Sequence, residues 1–253
     1  MEPAAKHTII SPMKTGVKLT ICLALGVLMG LAGAGAGLAQ SQKIEDAPLV
    51  GGLKDLKTLS RQLVGMSGTS SAATVSLVSR GGGGAGSGVI VSEDGLILTA
   101  GHVVAALSDE VIVIFPDGSR KPAKQLGADF DRDAAMVQIT EEGTYPFAEL
   151  GESGSLMRNQ WCVALGHPGG FDPNRTPPIR LGRVLRVANF VVTDCAVVGG
   201  DSGGPLFDVE GSVIGIHSNI GATLSENRHV PVDVYRDNWD SMKKGERTGT
   251  RFA

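Results

Sequence analysis

Cysteine and clustered positive charge are both scarce in this sequence. Only 3 cysteines occur in 253 residues, and no Cys/His cluster has the spacing of a metal site. We therefore predict neither a metal ion nor any other cofactor. The 23 Lys and Arg residues are outnumbered by 26 Asp and Glu residues and form no basic stripe. Nucleic acid is not an expected partner, because phosphate recognition needs concentrated positive charge.

A dinucleotide-binding loop is also missing, although its glycines are present. Gly81, Gly83 and Gly86 fit the pattern G-x-G-x-x-G. That pattern binds a pyrophosphate where it follows a strand and opens a helix. Here the residues that follow, 89–91, are Val-Ile-Val and predict a strand. We interpret the glycines as a hairpin loop.

The first 39 residues differ in composition from the rest of the chain. Lys14 and Lys18 precede an apolar run over residues 19–39, and polar residues follow from Gln40. This order predicts a signal peptide over residues 1–39, and hence export to the periplasm or the medium. A retained membrane anchor stays open, because about 20 apolar residues can span a bilayer.

An exported location permits a disulfide between the two cysteines of the remaining chain. Cys162 and Cys195 both lie in apolar, strand-like runs. Nothing in the sequence brings their sulfurs together, so we favour two separate buried thiols.

Glycine, by contrast, is abundant. The chain has 36 glycines and 12 prolines, and 42% of its residues are hydrophobic. This composition indicates a β-rich domain with many turns and ample core.

The most informative glycines flank a serine. Residues 199–205 read Gly-Gly-Asp-Ser-Gly-Gly-Pro, with the serine at Ser202. A serine hydroxyl becomes a nucleophile when a base removes its proton and donors stabilise the oxyanion that forms. Bare glycine backbone lets a substrate carbonyl approach and lets amide hydrogens converge on its oxygen. Ser202 is therefore the candidate nucleophile.

Residues suited to activating this serine lie upstream. His102 falls where the second of two short apolar runs ends, so its imidazole can project from a rigid strand. Asp133 directly precedes the apolar run 134–139, which places its carboxylate at the edge of the core. Such a carboxylate can hold an imidazole in the required tautomer and stabilise the imidazolium. Asp129 and Asp131 are rivals, but solvated loop charge is the simpler interpretation of both.

The order His, Asp, Ser resembles the chymotrypsin-like serine proteases, and most closely their bacterial HtrA/Deg branch. The matching segments lie within about residues 70–235: 86–99, 133–137, 164–169, 193–206 and 211–217. The resemblance implies an all-β fold of two six-stranded antiparallel barrels. His102 and Asp133 would come from the first barrel and Ser202 from the second. The backbone amides of Gly200 and Ser202 would form the oxyanion hole.

The chain departs from the HtrA/Deg pattern in two ways. Those proteases usually carry Asn where this chain has Asp201, and they usually continue into a PDZ domain. Only residues 203–253 follow Ser202, so we expect no PDZ domain within this sequence.

In digestive-type relatives, an Asp beside the nucleophile pairs with a newly freed N-terminal amine. Residues 49–52 resemble such a terminus, but Pro48 would be an unusual cleavage residue, so activation by cleavage is disfavoured.

Substrate preference depends on the residues around the expected specificity pocket. Trypsins carry an acid six residues before the nucleophile, where this chain has Ala196, so the resemblance indicates small or medium aliphatic substrate side chains. Residues 215–218 also resemble the strand on which bacterial glutamyl endopeptidases place a histidine that binds a substrate Glu. That alternative assigns the role to His217. We expect Ala196, His217 and Ser218 to be substrate-binding residues.

We divide the chain into residues 1–39, an N-terminal segment over 40–69, a protease domain over 70–240 and a C-terminal tail over 241–253. Leu53, Leu56, Leu59 and Leu63 recur at helical spacing. They predict a short amphipathic helix within residues 49–66 that packs on the barrel. Such a segment often helps to hold trimers in the resembled family, so a homotrimer stays open. Residues 74–79 alternate as a first strand.

The sequence therefore predicts an exported serine endopeptidase that hydrolyses peptide bonds in unfolded or damaged proteins. One alternative is a glutamyl-specific endopeptidase that uses His217. A second is a catalytically silent protein-binding or holdase module, against which the intact set of His102, Asp133 and Ser202 counts. A third is a membrane-tethered structural partner, which would need residues 19–39 to be retained.

Overall fold

A computed structural model describes residues 44–221, 223 and 226–250. The predicted signal segment, its cleavage or retention, and any membrane association through residues 19–39 lie outside the described residues. Within the described part, no helix has the length and apolar character needed to cross a membrane.

The described chain consists mostly of short strands. In chain order the elements are α1 (Leu53–Ala73), β1 (Thr74–Ser79), β2 (Ala85–Ile90), β3 (Leu96–Ala100), α2 (Gly101–Ala106), β4 (Glu110–Ile114), β5 (Arg120–Asp129), β6 (Ala134–Ile139), β7 (Trp161–Ala164), β8 (Arg180–Val187), β9 (Val191–Thr193), β10 (Pro205–Phe207), β11 (Val213–Ile220), β12 (Asn227–Pro231), α3 (Val232–Asp237), α4 (Trp239–Lys243) and β13 (Arg247–Thr248).

These strands build two barrels, as the resemblance to the chymotrypsin-like proteases implied. The first has the order β5-β4-β1-β2-β3-β6 and is closed by antiparallel pairing of β5 with β6. The second has the order β10-β11-β12-β9-β8-β7 and is closed by pairing of β10 with β7. Each closed barrel has six antiparallel strands.

Three apolar clusters account for the continuous hydrophobic runs in the sequence. One fills the first barrel and includes Val75, Ile97 and Val137. A second lies in the second barrel, around Cys162 and Leu206. The third contains residues of both barrels together with α3 and α4. Central strands such as β3 and β10 are buried along their whole length, because one face lines a barrel and the other faces the shared cluster.

Helix α1 is present but longer than predicted, and it continues to Ala73, immediately before β1. Its buried apolar residues are Leu59, Met66 and Ala73, whereas Leu53 and Leu56 are exposed. The leucine spacing therefore predicted the helix correctly but placed its buried stripe too close to the N-terminus, because contact with the barrel begins only at the helix's middle turns.

The segment after residue 240 is tied to the first barrel. Helix α4 ends at Lys243, and β13 pairs in parallel with β5. The backbone N–H groups of Ala128 and Phe130 donate to Glu246 and Thr248. Residues up to Thr248 thus pack as part of the folded domain.

Candidate active site

The pairing register of two strands brings His102 and Asp133 together. Ala100, the last residue of β3, lies opposite Ala134, the first residue of β6. His102 follows in the first turn of α2, and Asp133 directly precedes β6. The two residues, 31 positions apart in sequence, are therefore held at one end of the same strand pair.

Asp133 accepts hydrogen bonds from the backbone N–H and from the imidazole of His102. Its Oδ1 lies 2.8 Å from the His102 backbone nitrogen, and both carboxylate oxygens lie 3.0 Å from Nδ1. Asp133 has a positive φ of 58°, an uncommon conformation for a residue other than glycine. Its side chain is only 7% exposed, against 34% for His102. A carboxylate at Nδ1 favours the tautomer in which Nδ1 carries the hydrogen and Nε2 can accept a proton.

Ser218 is a third group bound to this carboxylate. Its hydroxyl donates to Oδ2 of Asp133 over 2.5 Å, and the residue is buried. Because Ser218 lies on β11, this hydrogen bond joins the second barrel to the His102–Asp133 pair. The Ser218 hydroxyl is thus engaged with Asp133, and the expectation that Ser218 binds substrate stays a prediction.

Ser202 lies in a loop that packs against the end of the same strand pair. The Ser87 backbone N–H donates to the Ser202 carbonyl over 2.8 Å. A Cβ atom added to Gly86 would lie 3.1 Å from that carbonyl oxygen and 2.7 Å from Cγ1 of Val103. Ser202 and the residue after His102 therefore meet across Gly86, and Ser202 is itself only partly buried.

Two glycines of the 199–205 motif are required by the fold of this loop. Gly200 has a φ of +95°, and a Cβ there would lie 2.5 Å from the His167 carbonyl oxygen. Gly203 has a φ of +83°, and its Cβ would lie 2.2 Å from Oγ1 of Thr99. A side chain at either position would meet both backbone strain and a clash. The Gly200 carbonyl accepts the Ser87 hydroxyl over 2.8 Å, which fixes the orientation of the peptide before Asp201.

Asp201, directly before Ser202, is completely buried and paired with an arginine. Its carboxylate accepts two hydrogen bonds from Arg180, at 2.5 and 2.9 Å, and one from the Val198 backbone N–H at 2.9 Å. A Cβ at Gly166 would lie 2.6 Å from Oδ1 of this carboxylate, so Gly166 makes room for it. Arg180, the first residue of β8, thus directs its charged group into the protein.

His217 is completely buried, and neighbouring groups engage both of its ring nitrogens. Nε2 lies 2.9 Å from the Leu165 carbonyl oxygen, and Nδ1 lies 2.9 Å from Nδ1 of His229. Burial, reinforced by the Arg180 charge, lowers the pKa of His217 to about 3. A neutral ring with no free nitrogen cannot receive a substrate carboxylate in this arrangement. Ala196 is exposed.

The family to which this architecture belongs follows from sequence comparison. Residues 86–216, slightly more than half of the chain, match the family described as "Trypsin-like peptidase domain". The chain belongs to this family. The match includes His102, Asp133 and Ser202, so the three candidate residues all lie inside the trypsin-like domain.

Similar proteins carry related names. A protein of Pseudomonas fluorescens named "Probable periplasmic serine endoprotease DegP-like" is 40% identical over 63% of this chain and 35% of its own length. A protein of Hahella chejuensis with the same name is 41% identical over 62% of this chain and 35% of its own length. The chain thus spans about a third of the length of the curated relatives that it matches.

Solved structures agree with the fold. One described as "HtrA-type protease AlgW with tripeptide" has a TM-score of 0.62 and 26% identity, and the match covers 73% of this chain and 63% of that one. A variant of the same protease gives the same TM-score and identity, with 74% and 64% covered. The predicted chymotrypsin-like, HtrA/Deg-type fold is confirmed.

Two features of this trypsin-like domain were not foreseen. Arg180 was not among the predicted site residues, although a buried Asp next to the nucleophile needs a cation nearby. Cys162 and Cys195 are buried free thiols, as favoured, but they are neighbours, with their sulfurs 3.6 Å apart. Antiparallel pairing of β7 with β8, and of β8 with β9, brings the two residues together.

Proposed function

We propose that the chain is an exported serine endopeptidase in which His102, Asp133 and Ser202 act as a catalytic triad. The observation that carries this proposal is the contact between the His102 imidazole and the buried Asp133 carboxylate, beside the loop that presents Ser202. It is supported by membership of the trypsin-like peptidase family.

The chemistry follows from the groups in place. The Ser202 hydroxyl attacks the scissile carbonyl carbon while Nε2 of His102 takes its proton. Asp133 holds Nδ1–H and stabilises the imidazolium. The backbone N–H groups of Gly200 and Ser202 donate to the oxyanion. His102 then returns the proton to the leaving amine, and a water molecule, deprotonated by His102, hydrolyses the acyl-enzyme ester.

For substrates and location, the proposal rests on the relatives. The similar proteins are named periplasmic endoproteases, which agrees with the predicted signal peptide, so we propose export to the periplasm. We propose unfolded or damaged proteins as substrates, with small or medium aliphatic residues before the scissile bond, and Ala196 beside the pocket. A homotrimer built with the N-terminal segment stays a prediction.

Degradation of unfolded casein by the purified chain tests the proposal. We expect fragments to accumulate with the wild type and none with Ser202→Ala. Ser153→Ala is the matched control, because Ser153 is a buried serine of the same domain that donates to the Ile214 carbonyl. A silent binding module would bind casein without cleaving it, and Ser202→Ala would then change nothing. A peptide library cleaved mainly after Glu would overturn the aliphatic preference.

A further inference from the structure

The carboxylate next to the nucleophile poses an electrostatic problem. Asp201 has no exposed surface, and an ionised carboxylate in such a place is strongly unfavourable unless it is paired. Arg180 supplies the pair through two hydrogen bonds, from Nη1 to Oδ2 and from Nη2 to Oδ1, and such paired contacts are the strong way in which guanidinium binds carboxylate. The arginine side chain is 18% exposed, so the pair is almost completely removed from water.

The paired carboxylate organises the loop around Ser202. Its Oδ2 accepts the Val198 N–H, its own N–H donates to the Val198 carbonyl, and its carbonyl accepts the Gly204 N–H. Residues on both sides of Ser202 are therefore hydrogen-bonded to Asp201. The peptides between them include the Gly200 and Ser202 N–H groups, whose directions decide whether an oxyanion is bound.

Stability alone gives no reason to keep this pair. Replacing a buried ion pair by apolar residues of similar volume is often neutral or stabilising. Moreover, the Arg180 Nε atom is buried without a hydrogen-bond partner among the described residues, which adds a further cost. Asp201, one member of this pair, directly precedes the nucleophile. A buried ion pair that costs free energy at this position points to a role in the active site.

We propose that Arg180 is a positioning residue that neutralises Asp201 and thereby holds the Ser202 loop in its competent conformation. This inference rests on the proposed function. It supplies within the chain the cation that a freed N-terminal amine would otherwise provide. Leu49, the residue considered as such a terminus, is 73% exposed, and the chain continues through it into α1. Catalytic competence therefore requires no cleavage before Leu49.

Arg180→Ala is the decisive variant. It leaves Asp201 unpaired, so we expect kcat to fall by about 10²-fold, the effect of losing an oxyanion donor, with little change in KM. Millimolar guanidinium chloride should restore activity by occupying the vacated site. The double variant Arg180→Ala/Asp201→Asn should be less impaired than Arg180→Ala, because no buried charge remains.

Arg158→Ala is the matched control. Arg158 binds Asp46 through two hydrogen bonds of 2.5 and 2.7 Å, but that pair is about half exposed. We expect its removal to leave kcat unchanged, with or without guanidinium. A kcat of Arg180→Ala within twofold of the wild type would overturn the inference, as would a loss that guanidinium does not reverse.

Two further readouts cover the remaining outcomes. If Arg180→Ala does not fold, Arg180→Lys decides, because an ammonium group cannot make the paired hydrogen bonds. We then expect kcat about tenfold lower at unchanged KM, and an unchanged kcat would overturn the inference.

If the wild type proves inactive, the proposed function fails, but amide hydrogen exchange still tests whether Arg180 positions the Ser202 loop. Arg180→Ala should speed exchange of the Asp201 and Gly204 N–H groups, and equal exchange rates would contradict the positioning role.

Discussion

Ser218 shows how one hydroxyl can couple the two barrels to the chemistry. It donates to the same carboxylate oxygen that His102 approaches, from a strand of the other barrel. In the proposed mechanism, this hydrogen bond would hold the Asp133 carboxylate in place while His102 takes up and returns a proton. We therefore propose that the Ser218 side chain supports Asp133.

Ser218→Ala should lower kcat/KM at least about tenfold, since a hydrogen bond to a charged group contributes about 1.5–3 kcal/mol and about 1.4 kcal/mol corresponds to a factor of ten. Steady-state hydrolysis of a chromogenic peptide measures the effect. Ser153→Ala should leave kcat/KM unchanged, because the Ser153 hydroxyl donates to the Ile214 carbonyl and not to Asp133. Equal effects of the two substitutions would show that Ser218 has no special connection to the site.

The buried pair His217 and His229 should stay neutral well below the usual histidine range. The Leu165 carbonyl requires Nε2–H on His217, so Nδ1 of His217 accepts from Nδ1–H of His229, whose Nε2 accepts the Thr193 hydroxyl. Burial lowers the pKa of both rings. Imidazole ¹⁵N NMR should show no titration of either ring between about pH 7.5 and 4.5.

This neutrality has a consequence for stability. In the unfolded chain both rings take up protons near the ordinary pKa of 6.5, whereas the folded rings do not. The unfolded state therefore binds more protons, and the free energy of unfolding should decrease as pH falls from about 6.5 toward 3. Titration of either ring near pH 6.5 in the folded protein would contradict the hydrogen-bond chain.

At the scale of elements, α1 contacts the barrel through its middle and C-terminal turns. Met66 is buried, with 6% of its surface exposed, whereas Val64 on the opposite face is 74% exposed. Met66→Ala should reduce the free energy of unfolding by about 2–4 kcal/mol through lost burial and a cavity. Urea denaturation measures this. Val64→Ala is the control, with an expected change within about 0.5 kcal/mol.

Strand β7 and the segment just after β9 carry a second element-scale prediction. With their sulfurs 3.6 Å apart, Cys162 and Cys195 should form a disulfide when the folded protein is treated with diamide. The bond would close a loop between positions 33 apart and add about 3–4 kcal/mol to stability in the chain-entropy model. Thiol titration and a mass loss of two hydrogens measure it. Two thiols still titratable after oxidation would contradict the placement.

How much of this molecule the sequence predicted depends on whether a feature is local or set by packing. Short motifs identified His102, Asp133 and Ser202 as candidates, alternation predicted β1, and the family resemblance implied the two barrels. The buried stripe of α1 was wrong at Leu53 and Leu56, because helical spacing does not say where contact begins. The approach of Cys162 to Cys195 and of Arg180 to Asp201 depends on strand register across a closed barrel, which no local pattern encodes.

At the scale of the whole molecule, two barrels form a shared apolar cluster and bring the candidate residues to one place. The first barrel supplies His102 and Asp133 from the ends of β3 and β6. The second supplies Ser202 on its loop and Ser218 on β11. Neither barrel alone contains His102, Asp133 and Ser202, so the proposed triad requires groups from both barrels to act on the same reacting centre.

The most direct test is the rate and the position of labelling by a fluorophosphonate probe. Mass spectrometry should locate the probe on Ser202 in the wild type. Labelling should be slower by about 10³–10⁴-fold in Asp133→Asn, because an amide favours the wrong imidazole tautomer, and unchanged in Asp131→Asn. Labelling at another residue, or equal rates in Asp133→Asn and the wild type, would contradict the proposed triad.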